Sequence, residues 1–112
     1  MTPVQIKRIK KWISALRSGK YKQARETLVS SDYKRHCCLG VACKITKDTT
    51  LADQFTLKYS TRFSDKGLNY YGLSAIQMED LITLNDMENQ NFKQIADYIE
   101  KNILKKKGKK NG

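Results

Sequence analysis

The sequence predicts a small, mostly helical α+β domain with about five helices and one small β-hairpin. Three observations predict this class. The chain has only 112 residues, its apolar residues (39%) recur at helical spacing in several segments, and one stretch alternates polar and apolar residues. We assign residues 1–104 to a single globular domain. Residues 105–112 are dominated by lysine and contain no apolar residue, so we expect a flexible tail there.

The first two helices are predicted to form a helical hairpin. Thr2 is a suitable N-cap and Pro3 suits the first helical position, where its missing N–H is not needed. Gly19 suits the left-handed position that ends a helix. We expect a second, shorter helix over residues 21–29. The first helix carries one apolar stripe, formed by Ile6, Ile9, Trp12, Ile13 and Leu16.

The stretch from His36 to Cys43 holds all three cysteines and the only histidine. Apolar residues recur in it at helical spacing, which predicts a buried helix over residues 37–46. Gly40 inside that helix lowers its intrinsic stability by about 1 kcal/mol relative to alanine. A glycine at this position therefore indicates the close approach of another backbone or of a ligand.

The small hairpin is predicted in the middle of the chain. Residues 55–63 alternate with a period of two and are rich in threonine and aromatic residues, which favours a strand. Residues 64–67 are typical of a turn, and residues 68–71 would form the returning strand.

Two further helices follow, each introduced by a capping pair. Ser74 with Gln77 opens a helix that ends near Asp86, and Asn91 with Gln94 opens the last one. The helices together predict a common core. Its predicted members are Ile9, Trp12, Leu16, Leu28, Cys38, Val41, Leu81, Phe92, Ile95 and Ile99.

The net charge of +11 is unevenly distributed. Residues 1–47 hold 12 Lys or Arg and 2 Asp or Glu, whereas residues 48–100 hold 4 and 9. Residues 101–112 hold six lysines and no acid. This distribution favours an anionic partner or head-to-tail self-association, so an oligomer is possible; a lysine-rich chain that is simply well solvated is the alternative.

The sequence has no apolar run near the ~20 residues that a membrane span requires, and no secretory signal. We therefore expect a cytoplasmic protein without a membrane partner. In that compartment the three cysteines are expected to be reduced thiols, and their odd number also argues against a disulfide framework.

Four segments carry a resemblance to known sequences. They are Trp12-x-x-Ala15-Leu16-x-Ser18-Gly19-x-Tyr21-x-Gln23, Cys37-Cys38-Leu39-Gly40-Val41-x-Cys43, Leu84-Asn85-Asp86, and Phe92-x-x-Ile95-Ala96-Asp97-x-Ile99-Glu100. Together they resemble a widespread family of small phage- and prophage-encoded proteins whose members have no established activity. The resemblance implies a phage genome context, an accessory role such as counter-defence, and the host-cell cytoplasm as location.

Metal binding and covalent catalysis are both disfavoured by spacing. Cys37 and Cys38 are adjacent, so their side chains diverge on a helix, and no second Cys/His pair exists for zinc. His36 is the only available base and need not reach either thiol. We therefore predict no metal, no cofactor and no catalytic residue, and we lean against an enzyme.

The residue types instead favour an anion site at the start of the cysteine helix. Arg35, His36 and the free N–H groups there suit a phosphate, aromatic rings suit a base, and Asn85 with Asp86 suits polar groups of a ligand. A plain turn is the alternative for the Asn-Asp pair. The predicted ligand-binding residues are Tyr21, Tyr33, Arg35, His36, Cys37, Cys38, Tyr71, Asn85 and Asp86.

This site predicts a protein that binds and sequesters an anionic, nucleotide-derived small molecule. Two alternatives stay open. The basic first helix and the lysine tail suit sequence-independent nucleic-acid binding, although no recognised reading motif is present. The acidic surface of residues 79–100 suits a protein partner, such as a host enzyme that is inhibited.

Overall fold

The computed structural model describes residues 1–54 and 57–104 and confirms the α+β class. The described residues form five α-helices and one two-stranded parallel sheet. The predicted lysine tail lies outside the described residues, and the division into a domain and a tail stays a prediction. In chain order the elements are α1 (Pro3–Arg17), β1 (Lys22–Gln23), β2 (Arg35–His36), α2 (Cys38–Thr46), α3 (Asp65–Tyr71), α4 (Ala75–Asp86) and α5 (Phe92–Tyr98), followed by a π-helical segment (Ile99–Leu104).

Helix α1 begins as predicted. Thr2 is its N-cap, its hydroxyl accepts from the N–H of Gln5 at 3.2 Å, and the Gln5 side chain accepts from the Thr2 N–H at 2.8 Å. The Gln5 amide also donates to the carbonyl of Asn69 at 2.7 Å. The same side chain thus closes the start of α1 and ties it to α3.

The core is built around Trp12 of α1. Its indole N–H donates to the carbonyl oxygen of Cys38 at 2.9 Å, and its ring lies 5.0 Å from Tyr71 and 6.1 Å from Phe63. Helix α1 contacts α2, α3 and α5. All ten residues predicted to form the core are buried.

The predicted helix over residues 21–29 is wrong. This segment contains strand β1, whose register pairs Lys22 with Arg35 and Gln23 with His36. Its backbone groups bond to distant partners: Ala24 N–H donates to His36 at 2.8 Å, and Leu28 N–H to Ser60 at 3.0 Å. These tertiary hydrogen bonds replace the local ones that a helix would make.

The predicted β-hairpin is also wrong. Residues 57–59 form a short 3₁₀ turn and residues 65–71 form helix α3; Phe55 and Thr56, at the start of the predicted strand, lie outside the described residues. Ser64 is the N-cap of α3, where its hydroxyl accepts from Gly67 N–H at 3.2 Å. The Ser-to-Gly segment interpreted as a turn is therefore a helix start.

The last two helices begin as predicted. Ser74 with Gln77 and Asn91 with Gln94 form reciprocal capping boxes. Helix α4 ends at Asp86, as expected. This end of α4 places Asn85 and Asp86 beside the start of α2, which is where the candidate ligand residues were predicted.

Candidate functional site

The structure divides the nine predicted ligand residues among three places. Most of them surround the start of α2, two lie on an exposed turn and strand, and one lies in the core. The first group is Tyr21, His36, Cys37, Cys38, Asn85 and Asp86; the second is Tyr33 and Arg35; the third is Tyr71.

Asn85 is a buried connector, with 1% of its surface exposed. Its amide oxygen accepts from Cys38 N–H at 3.2 Å and from the Gln23 side chain at 2.8 Å. Its amide nitrogen donates to the Ala24 carbonyl at 2.9 Å and to the Asp86 carboxylate at 2.7 Å. The side chain therefore joins β1, α2 and α4 and has no hydrogen-bonding capacity left for a ligand.

Asp86 completes this connection. Its carboxylate accepts the Asn85 amide and also the N–H of Glu26 at 2.8 Å. Glu26 has a positive φ of 66°, a conformation that excludes a helix and that this hydrogen bond holds in place. We call Asn85, Asp86 and Gln23 the Asn85 hub, and its contacts give it a structural role.

The start of α2 is closed to solvent. The N–H of Cys38 is bonded to the hub, and the N–H of Gly40 donates to the thiol sulfur of the N-cap Cys37 at 3.4 Å. Burial raises the pKa of Cys37 to about 12 and that of Cys38 well above its usual value. The thiols are therefore protonated and buried, which corrects the expectation of a phosphate site with free N–H groups here.

His36 is likewise inside the protein, with 6% of its surface exposed. Its Nδ1 atom is buried without a hydrogen-bond partner among the residues that the structure describes, and its ring packs edge-on against Tyr21 at 6.0 Å. Burial, with a smaller contribution from the positive charge of Lys44, lowers the pKa of His36. A neutral, buried imidazole does not provide a positive charge for an anion.

This lowered pKa predicts a pH dependence of stability. Because the unfolded chain protonates His36 first as pH falls below about 6.5, the free energy of unfolding decreases by up to about 1.4 kcal/mol per pH unit. We expect His36→Gln to remove this part of the decrease. Urea unfolding of both proteins between pH 7 and pH 5 measures this difference. If the free energy of unfolding fell equally with pH in both proteins, the prediction would be contradicted.

A groove on another face combines basic and aromatic side chains. It has a volume of about 240 Å³ and lies between α1, the end of α2 and the end of α3. Tyr71, whose hydroxyl donates to the Ala42 carbonyl at 2.9 Å, contributes part of its wall. We call this the α1–α3 groove, and its described lining residues are Arg8, Lys11, Ile45, Thr46, Tyr70 and Tyr71.

Arg8 is held in place at this groove. Its guanidinium carbon lies 3.9 Å from the centre of the Tyr70 ring, and one of its nitrogens donates to the Tyr70 carbonyl at 2.9 Å. An arginine has five N–H donors, so others stay available for an anion. Lys11 is exposed and, among residues 1–54 and 57–104, forms no ion pair.

Of these lining residues, only Tyr71 is among the nine predicted ligand residues. Arg8 and Lys11 belong to the basic first helix, which suited nucleic-acid binding, and Tyr70 belongs to the predicted returning strand. The available signal was the spacing of Arg8 and Lys11, three residues apart and so on one face of a helix. The position of Tyr70 beside them depends on the fold of α3, which the sequence analysis missed.

Comparisons with known proteins identify the family. The family described as Domain of unknown function (DUF8296) matches residues 4–69, more than half of the chain. The chain belongs to this family. The DUF8296 match includes Arg8, Lys11 and Thr46 of the α1–α3 groove and ends just before Tyr70. No curated protein and no solved structure matches the chain.

Two further features of this DUF8296 member concern metal ions and membranes. Within the described parts of the chain, no three His, Cys, Asp or Glu side chains are grouped so as to hold a metal ion. None of the helices there has both the length and the apolar character to cross a membrane. The α1–α3 groove is the candidate site because it brings basic and aromatic side chains together.

Proposed function

We propose that this protein binds and sequesters a small anionic ligand of the nucleotide class in the α1–α3 groove. The observation that carries the proposal is Arg8 stacked on Tyr70 beside Lys11, because this arrangement combines two positive charges with an aromatic ring. A guanidinium and an ammonium suit a phosphate, and the half-buried ring of Tyr70 suits a base.

The volume and lining of the groove restrict the ligand. At about 240 Å³ the groove is slightly smaller than the roughly 300–1,000 Å³ of common small-molecule sites. It suits one nucleotide unit, with any remainder of a larger ligand in solvent. The described residues that line it include no thiol, imidazole or carboxylate. This composition favours binding over catalysis.

The biological setting is part of the same proposal. The resemblance of four segments to small phage-encoded proteins supports an accessory role, such as the removal of a host nucleotide signal in counter-defence. Such a protein would act in the cytoplasm of the host cell. A protein partner of the acidic 79–100 surface would be the alternative.

The test measures nucleotide binding by the full chain and three variants. Nucleoside mono-, di- and triphosphates and cyclic dinucleotides are screened by thermal shift, and each hit is titrated by calorimetry. We expect Arg8→Gln and Lys11→Gln each to weaken binding by about tenfold or more, the loss of one charge-assisted hydrogen bond. Lys10→Gln, an exposed lysine of the same helix outside this groove, is the matched control.

Equal affinity of Lys11→Gln and the unmodified protein for every hit would overturn the assignment of the groove. A panel without any hit would overturn the function. Native mass spectrometry of the freshly purified protein adds an independent measurement, because a retained nucleotide appears as a mass of a few hundred daltons that is lost on denaturation.

A further inference from the structure

Two exposed tyrosines flank one lysine, and none of the three lines the α1–α3 groove. Tyr33 is 61% exposed and Tyr59 is 72% exposed, although tyrosine normally buries much of its ring. The Nζ atom of Lys58 lies 5.7 Å from the centre of each ring. We call these three residues the Tyr33–Tyr59 patch; the core and the Asn85 hub make no use of its rings.

The backbone presents Tyr33 to solvent at an energetic cost. Its φ is +61°, in the left-handed region that residues other than glycine, asparagine and aspartate rarely adopt. A hydrogen-bonded turn holds it there: Tyr33 N–H donates to the Ser30 carbonyl at 2.8 Å, and Lys34 N–H to Asp32 at 3.1 Å. The turn thus holds Tyr33 in a strained conformation, and the small burial of its ring does little to offset that strain.

The Tyr59 side of the patch is fixed to the same part of the fold. Leu28 N–H donates to the Ser60 carbonyl at 3.0 Å, and the Thr27 hydroxyl, which donates to the Val29 carbonyl at 2.9 Å, also lies 3.3 Å from the Lys58 carbonyl. These bonds attach residues 57–60 to the segment that leads into the turn of Tyr33. The backbones that carry the two rings are therefore held in the same part of the fold.

Unpaired positive charge lies next to the patch. Lys22 and Arg35 are register partners on neighbouring strands, and both are exposed, as is Lys34. Among the described residues none of these three side chains forms an ion pair. Like charges at paired positions repel each other, so this arrangement gains stability when a polyanion neutralises it.

We propose that the Tyr33–Tyr59 patch binds single-stranded nucleic acid. Two unpaired bases stack on the rings of Tyr33 and Tyr59, and Lys58 and Arg35 contact the phosphates. Stacking on aromatic rings requires accessible base faces, which a single strand offers and a duplex does not. This binding site is separate from the nucleotide-sized α1–α3 groove and does not depend on the function proposed for it.

The test measures binding of a fluorescent oligothymidylate to the full chain by anisotropy, with a duplex of equal length as competitor. Tyr33→Asn is the decisive variant, because asparagine tolerates the left-handed conformation and removes the ring without straining the turn. We expect its melting temperature to be unchanged or higher and its affinity for the single strand to fall about tenfold. Tyr59→Ser is expected to give a similar loss.

Two controls separate stacking from charge. Tyr33→Phe keeps the ring and is expected to bind within about threefold of the unmodified protein. Tyr33→Asn is expected to keep the salt dependence of the unmodified protein, because that dependence counts phosphate contacts and not stacked bases. Lys11→Gln, in the α1–α3 groove, is expected to leave oligonucleotide affinity unchanged.

Unchanged affinity of both Tyr33→Asn and Tyr59→Ser would overturn the proposal, as would equal affinity for the single strand and the duplex. Either result would assign any binding to charge alone, including that of the lysines at residues 105–112. Because the groove variants are measured with mononucleotides and the patch variants with oligonucleotides, failure of one proposal is distinguishable from failure of the other.

Discussion

Gly40→Ala is expected to destabilise the protein by about 3 kcal/mol or more, although alanine is the better helix former. A Cβ atom at this position would lie 1.8 Å from the carbonyl oxygen of Leu28, far inside van der Waals contact. That carbonyl is not free to move, because it accepts the N–H of Cys37 at 3.1 Å. The substitution must therefore separate α2 from the segment before β2.

Urea unfolding measures this loss, with Lys44→Ala as the control. Lys44 is an exposed residue of the same helix, so its replacement is expected to change the free energy of unfolding by less than about 0.5 kcal/mol. The sign of the change in the free energy of unfolding distinguishes the backbone clash from helix propensity. Helix propensity alone would make Gly40→Ala more stable by about 1 kcal/mol, and that outcome would show that the two backbones can separate without cost.

Gly40 also shows how far the sequence could predict the fold. A glycine inside an apolar helical pattern indicated a close backbone approach, and the structure confirms one with Leu28. Gly67 also allows a close backbone approach, since a Cβ there would lie 2.2 Å from the carbonyl oxygen of Leu51. Next to Ser64 and Asp65, however, it suggested a turn, and helix α3 was missed.

Elements that depend on local signals were predictable, and those that depend on distant partners were not. The capping pair of Ser74 and Gln77 is three residues apart, so it is visible in the sequence. The segment around Ala24 and Glu26 has helical apolar spacing, but its backbone bonds to Asn85 and Asp86, about 60 residues later. Such long-range hydrogen bonds leave no repeating pattern of apolar residues in the sequence.

The same dependence on distant partners explains why the α1–α3 groove could not be predicted from the sequence. Arg8 and Tyr70 meet through a hydrogen bond between residues 62 positions apart, so only the folded chain brings them together. The start of the cysteine helix was predicted to bind an anion because Arg35, His36 and the N–H groups of a helix start suit a phosphate. Its burial around Trp12 and the Asn85 hub gives its cysteines a packing role, and cysteine is among the residue types most often buried.

Asn85→Asp is expected to destabilise the protein by about 3–5 kcal/mol at neutral pH. The replacement has the same shape and keeps the acceptor for Cys38 N–H. It loses both donated hydrogen bonds, however, and turns a carboxylate oxygen toward the Ala24 carbonyl and toward the carboxylate of Asp86. A buried negative charge then faces a second negative charge and a carbonyl dipole.

The pH dependence distinguishes this cause from a general loss of packing. Burial and the neighbouring Asp86 disfavour the charged form, so the pKa of the introduced carboxyl is raised in the folded state. Its penalty is therefore full at neutral pH and decreases as pH falls through that raised pKa, where the protonated acid regains one donor. We expect the stability difference between Asn85→Asp and the unmodified protein to narrow between pH 7 and pH 5 in urea unfolding.

Asn102→Asp provides the matched control, because it adds the same charge at an exposed position and is expected to change stability by less than about 1 kcal/mol. A difference for Asn85→Asp that stays constant with pH would contradict the electrostatic explanation. A difference below about 1 kcal/mol would instead show that β1, α2 and α4 hold together without the two hydrogen bonds that this side chain donates. In that case Asn85 would again be available as the ligand-contacting residue that the sequence first indicated.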